Sequence, residues 1–118
     1  MRPMHISVHP ATGDPMTGDP MTGDPAIGER SVRIVVTGEL DLATLAELRS
    51  ELDAVLSRRP ILIEVDLSAV TFFSCAAAQA LRDAQLRAPE ALIVVGAGRP
   101  IRRLLQIMRL QPLLAPAA

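Results

Sequence analysis

The order of two hydrophobic periods along the chain narrows the fold most. Apolar residues at every second position mark half-buried strands, and apolar residues three and four apart mark amphipathic helices. From Met4 to His9 the period is two, with Met4, Ile6 and Val8 opposite His5, Ser7 and His9. Ser31 to Thr37 repeats it, with Val32, Ile34 and Val36 opposite Arg33, Val35 and Thr37. The period then changes. Leu45, Leu48, Leu52, Val55 and Leu56 recur at helical spacing, with Arg49, Glu51 and Asp53 on the outer side. The turn Gly38-Glu39-Leu40-Asp41 precedes this helix, and Thr44 with Glu47 has the spacing of a capping box. Ile61 to Leu67 is β-branched and mostly apolar, which predicts a central strand buried on both faces.

The second half alternates in the same way. Ser74 to about Arg87 is rich in alanine, the best helix former, and ends before Pro89. Ala91 to Val95 predicts another buried strand. Ile101, Leu104, Leu105 and Met108 define the inner side of a last helix, with Arg102, Arg103, Gln106 and Arg109 outside. The chain beyond Pro112 predicts a frayed end. Strand, strand, helix, strand, helix, strand, helix is the order of an α/β domain: strand–helix–strand units demand parallel neighbours, and the first two strands pair as a hairpin. The expectation is a single domain over 1–118, with a mixed sheet of about four strands and interleaved helices. A low-complexity insertion over 11–28 and a short tail over 111–118 complete it.

That insertion is a pentapeptide repeat. Thr12-Gly13-Asp14-Pro15-Met16 recurs as Thr17-Gly18-Asp19-Pro20-Met21 and then as Thr22-Gly23-Asp24-Pro25. Each unit is turn chemistry with too little apolar surface to offset the entropy of ordering. A flexible connection is expected in preference to a set of aspartate ligands, and a loop insertion costs little stability.

Several function classes lose support. Formal net charge is -1, so no overall field draws nucleic acid or anionic lipid. Phe72 and Phe73 are the only aromatic residues, too few for base-stacking platforms. The one cysteine, Cys75, cannot form an intrachain disulfide, which suits a reducing cytoplasm. No apolar run reaches the length of a membrane span, so no direct membrane insertion is expected. No Ser-His-Asp or Cys-His set is visible, and neither a cofactor nor a metal is called for. Gly96-Ala97-Gly98 fails as a dinucleotide fingerprint because Ile101 stands at the third glycine position.

Four features in this order carry a family likeness: Gly38-Glu39-Leu40-Asp41, a capped helix, Ile63-Glu64-Val65-Asp66-Leu67-Ser68-Ala69-Val70, and Phe72-Phe73 opening a further helix. Together, over roughly 4–110, they resemble STAS domains, among them the anti-sigma-factor antagonists of bacterial partner-switching systems. The resemblance implies a STAS-like fold and a non-enzymatic, cytoplasmic protein that binds an anti-sigma factor with an ATPase-like kinase fold. The sequence leaves a homodimer open. In that family the second helix opens with Asp-Ser-Ser-Gly or a close variant, and the first serine is the phosphoacceptor. Here the matching stretch is Ser74-Cys75-Ala76-Ala77, so Cys75 falls on the phosphoacceptor position and the usual off-switch is missing. The partner-binding surface implied by the resemblance comprises Gly38, Glu39, Asp41, Thr44, Thr71, Phe73, Ser74, Cys75, Ala76 and Ala77. The alternative is a non-switching STAS scaffold, or an accessory subunit of a signalling or membrane transport complex.

Each prominent side chain also has a structural reading. Ser74 is either a displaced phosphoacceptor or, the preferred reading, an N-cap residue, for which serine is favoured. Cys75 is either a thiol activated by a helix N-terminus or, the preferred reading, a small packed residue of the first turn. Asp41 and Asp66, near the ends of neighbouring strands, form a candidate carboxylate pair, with loop capping and solvation preferred. Arg99, Arg102, Arg103 and Arg109 are a patch for acidic partners or phosphates, or the solvated side of an amphipathic helix.

Overall fold

The computed structural model describes residues 4–10 and 31–114. The pentapeptide repeat and the last four residues lie outside the described residues. Four strands form one mixed sheet in the order β1-β2-β3-β4: β1 His5–Pro10, β2 Ser31–Leu40, β3 Leu62–Phe73 and β4 Leu92–Val95. β1 runs antiparallel to β2, and β2, β3 and β4 run parallel. Helices α1 Leu45–Leu56 and α2 Cys75–Arg87 form the crossovers, and α3 Arg99–Ile107 follows β4.

The strand periodicity becomes burial directly. Val32, Ile34, Val36 and Leu40 of β2 pack with Ile63, Val65 and Leu67 of β3 and with Leu92 and Val94 of β4. The helices supply Leu48, Leu52 and Val55 from α1, Ala77, Ala78, Ala80, Leu81 and Ala84 from α2, and Ile101 and Leu105 from α3. The alanines of α2 let its backbone lie close to the core, so their small side chains are a packing device as well as a helix preference. Exposed ion pairs, Arg49–Asp83 at 3.6 Å and Arg87–Asp53 at 2.6 Å, join α1 to α2.

β3 and β4 are not buried on both faces as expected. Leu62, Glu64 and Asp66 of β3 and Ile93 and Val95 of β4 are only half-buried, because the core lies on one face of the sheet. On the other face Arg33 of β2 bridges Glu64 at 3.0 Å and Asp66 at 3.3 Å, in register with Glu64 across the ladder.

Both central strands run further than the sequence periods suggest. Gly38-Glu39-Leu40 belongs to β2 instead of a turn, and Val70 to Phe73 belongs to β3. The pairing Val35↔Asp66 is followed by Thr37↔Ala69, and Gly38↔Val70 by Glu39↔Phe72, so β3 carries an extra residue twice. Each bulge shifts the inside–outside phase by one residue. Strict alternation in β3 accordingly stops after Leu67, which is why the sequence reading stopped there. Gly96, just after β4, sits against the first bulge. Its φ is +70°, and a Cβ there would lie 2.8 Å from Asp66 Oδ1 and 3.0 Å from Ser68 Cβ.

The end of the described chain is not frayed. Gln111–Leu113 forms a short 3-10 helix, Leu113 is fully buried, and Leu114 bridges Val94 of β4. Gln85 Nε2 of α2 donates to Pro112 O at 3.0 Å and to Leu92 O at 3.3 Å. α3 ends in a left-handed residue that is not glycine: Arg109 has φ 61°, its N–H meets Gln106 O at 3.0 Å, and Leu110 N–H meets Leu105 O at 2.7 Å. These two bonds are a Schellman motif, and it turns Leu110 back into the core.

Candidate functional site

The extended ends of β2 and β3 lie side by side, with Leu40 opposite Phe73. Both chains turn there into helices, which brings the Asp41–Thr44 turn next to the start of α2. Ser74 N–H donates to Leu40 O at 3.0 Å and ties the two turns together.

The first turn is held by Asp41, not by a capping box. Asp41 Oδ1 accepts from Ala43 N–H at 3.0 Å and from Thr44 N–H at 3.1 Å. Thr44 already has helical backbone angles, φ -102° and ψ -2°, so its hydroxyl faces back. It donates to Glu39 O at 2.9 Å and accepts from Asp41 N–H at 3.0 Å. The second turn follows the expected pattern, since Ser74 is extended and its Oγ accepts from Ala77 N–H at 3.1 Å. That bond satisfies one of the free donors of the first turn.

Of the ten residues assigned to the surface, Thr71 and Cys75 are exposed, and Glu39, Asp41, Thr44, Phe73, Ser74 and Ala76 are half-buried. Gly38 and Ala77 are buried and offer a partner nothing: Gly38 is an interior strand position and Ala77 faces the core. Cys75 is not the packed residue that was preferred. It opens α2 on the outer side, and its thiol is exposed. The reason is the helical phase set by Ala77, Ala78 and Leu81, which occupy the core side and turn Cys75 outward.

Asp41 and Asp66 do not form a pair. Because β3 continues past Asp66, the two lie about six residues apart along the ladder, roughly 20 Å at strand rise. Asp66 instead accepts from Ser68 N–H at 2.9 Å and holds Arg33. Among the described residues no group of three or more His, Cys, Asp or Glu side chains could hold a metal ion. No helix among them is long and apolar enough to cross a membrane.

Two apolar side chains, within the Gly38–Thr44 and Ala69–Ala77 stretches but outside the ten residues assigned to the surface, are exposed at the site. Leu42 is 74% exposed between the buried Leu40 and α1, and Phe72 is 52% exposed beside the half-buried Phe73. For Leu42 the available signal was its place outside the helical repeat that starts at Leu45. The Phe72-Phe73 pair predicts one exposed ring and one core ring, and the second bulge decides that Phe72 is the outer one.

A family model described as the Mlab STAS domain matches residues 25–115. Solved structures of similar fold include an anti-sigma factor antagonist from Mycobacterium paratuberculosis, with TM-score 0.74 and 21% identity over 95% of this chain and 83% of that one. The anti-sigma factor antagonist SpoIIAA in its unphosphorylated form has TM-score 0.64 and 17% identity, over 78% of this chain and 84% of that one. The Bacillus cell fate determinant SpoIIAA in its phosphorylated form has TM-score 0.59 and 17% identity, over 78% and 86%. No curated protein matches the sequence. With the family model spanning most of the chain, and the mixed sheet and helix order shared with those structures, the chain belongs to the STAS domain family.

Proposed function

We propose that this STAS domain acts by binding, as an anti-sigma-factor antagonist that docks on a kinase-type anti-sigma factor in a bacterial partner-switching pathway. The observation that carries the reading is the display of Cys75. It stands exposed on the first turn of α2, beside the Asp41–Thr44 turn, and the sequence resemblance matches it to the phosphoacceptor serine of the family's antagonists. A helix N-terminus tolerates a phosphate, because its free N–H groups and partial positive charge face it. A partner surface docked there meets nearly two added negative charges. A thiol is no substrate for a serine/threonine kinase, and Ser74 Oγ is engaged as the helix cap. The domain is therefore held in its binding-competent form. The docking surface is the outer rim of this site: Glu39, Asp41, Leu42 and Thr44 on one side, and Thr71, Phe73, Ser74, Cys75 and Ala76 on the other.

A second reading is a non-switching scaffold or an accessory subunit of a signalling or transport complex. It is favoured by the same stretch, since Cys75-Ala76-Ala77 retains no hydroxyl where the family motif has two serines. A tagged pull-down from the native cytoplasm, with wild type and Cys75→Ser and with ATP present, separates the two. The antagonist reading expects an ATPase-fold anti-sigma factor with both proteins, and ATP-dependent release of Cys75→Ser alone. Recovery of transporter subunits or of the protein itself alone refutes sigma-factor control.

A further inference from the structure

An apolar groove of about 380 Å³ runs between the bulged end of β3 and the first two turns of α3. Leu67, Val70 and Phe73 form its strand wall, and Pro100, Ile101 and Leu104 its helix wall. Phe72, on its strand side, is 52% exposed. Residues four apart form rows along a helix surface. Pro100 and Leu104 are the row that faces the groove, and the next row outward is Arg99, Arg103 and Ile107. Arg102 and Gln106 lie beyond it, and all five of these outer residues are exposed.

The charge of this region sets the chemistry of what fits it. The chain has a formal net charge of -1, yet from Ala91 to Ala118 it contains four arginines and no carboxylate. Of the six described arginines before α3, three meet acids: Arg33 pairs with Glu64 and Asp66, Arg49 with Asp83 and Arg87 with Asp53. Among the described residues, none of the α3 arginines is in an ion pair. An apolar channel edged on one side by a row of cations is complementary to a segment with apolar residues on one side and carboxylates beside them. Phosphate ligands and nucleic acid suit it less, because the groove is apolar and Phe72 is the one exposed aromatic side chain among the described residues.

We infer that the groove between β3 and α3 is a second docking surface, which takes an acidic amphipathic segment of a protein partner. Leu- or Ile-like side chains enter between Phe73 and Leu104, and the flanking carboxylates meet Arg103 and Arg99. The inference goes beyond the antagonist reading. It concerns α3, which that reading does not use, and it shares only Thr71 and Phe73 with the rim around Cys75.

The test is a titration of the full isotopically labelled chain, followed by amide NMR. The probe is a short amphipathic peptide with leucines on one side and glutamates flanking them. A matched peptide carries glutamine for each glutamate. The expected result is a set of shifts confined to Ser68–Phe73 and Gly98–Ile107. Arg99→Gln with Arg103→Gln weakens binding about tenfold, Phe72→Ala weakens it severalfold, and salt weakens it progressively. All three positions are on the surface, and unchanged thermal melts establish that the variants fold. No shifts, shifts elsewhere, or equal binding of the glutamine peptide overturns the inference. So does tighter binding of anionic vesicles or duplex DNA at the same residues, which assigns the cations to phosphate. Concentration-dependent shifts there without peptide assign the groove to a second copy and overturn it too. None of these outcomes touches Cys75, so the groove and the antagonist reading fail separately.

Discussion

The β2–β3 ladder has two halves that do different work. From Ser31↔Leu62 to Val35↔Asp66 the register is one to one, and every second residue enters the core. Beyond Val35↔Asp66, as far as Leu40↔Phe73, two bulges break the alternation, and Ser68, Ala69, Thr71 and Phe72 come to the surface. The same pair of strands thus anchors the domain at one end and displays side chains at the other. The difference teaches that a single extra residue is enough to convert a core strand into a presenting one, because the side-chain period of a strand is two.

The largest test of this contrast lies in the regular half. Ile63 is fully buried in the central strand, and Ile63→Ala is expected to cost about 3 kcal/mol by urea unfolding, as the lost methyl groups leave a cavity. A cost under about 1 kcal/mol would break the claim that this half is the anchor. The seam between the halves is next. Gly96→Ala places a Cβ against Asp66 and Ser68 at a left-handed φ, with an expected loss of about 2 kcal/mol. A neutral Gly96→Ala would mean that the first bulge shifts freely.

Smaller effects probe the displaying half. Ser74→Ala removes the bond to Ala77 N–H and is expected to lower stability by about 1 kcal/mol in thermal or urea melts. An unchanged melt would show that water replaces the cap without loss. Phe72→Ala is expected to stay within about 0.5 kcal/mol of wild type, since that ring projects from the surface. A loss like that of Ile63→Ala would place Phe72 in the core and erase the difference between the two halves.

Much of the fold was legible because the core lies on one face. Val32, Ile34 and Val36, like Leu48, Leu52 and Val55, carry their periods without interruption, and each became buried as read. What failed did so where a contact that the hydrophobic pattern does not record intervened. Thr44 and Glu47 have the spacing of a capping box, yet Asp41 Oδ1 takes the Thr44 N–H, Glu47 N–H bonds the Thr44 carbonyl, and the Thr44 hydroxyl bonds back to β2. Leu113 reads as part of a frayed end, but Gln85 of α2 holds Pro112 before it and Val94 of β4 bridges Leu114 after it. Cys75 was read as packed from its residue type alone, whereas the alanines after it set its direction.

The site was legible in outline and not in detail. Ser74, Cys75 and the Gly38–Asp41 run marked two turns, and the structure places those turns together through Ser74 and Leu40. It also moves Gly38 and Ala77 inside and brings Leu42 and Phe72 out.

The sequence by itself determined the order of strands and helices, the parallel crossovers and most of the core, because these follow from local periods and from the one way such periods can share a core. Only the tertiary structure decided where β3 bulges and that α3 sets a row of arginines beside an apolar groove. Those depend on contacts between residues far apart in the chain, and a hydrophobic period records burial but not the neighbour that provides it.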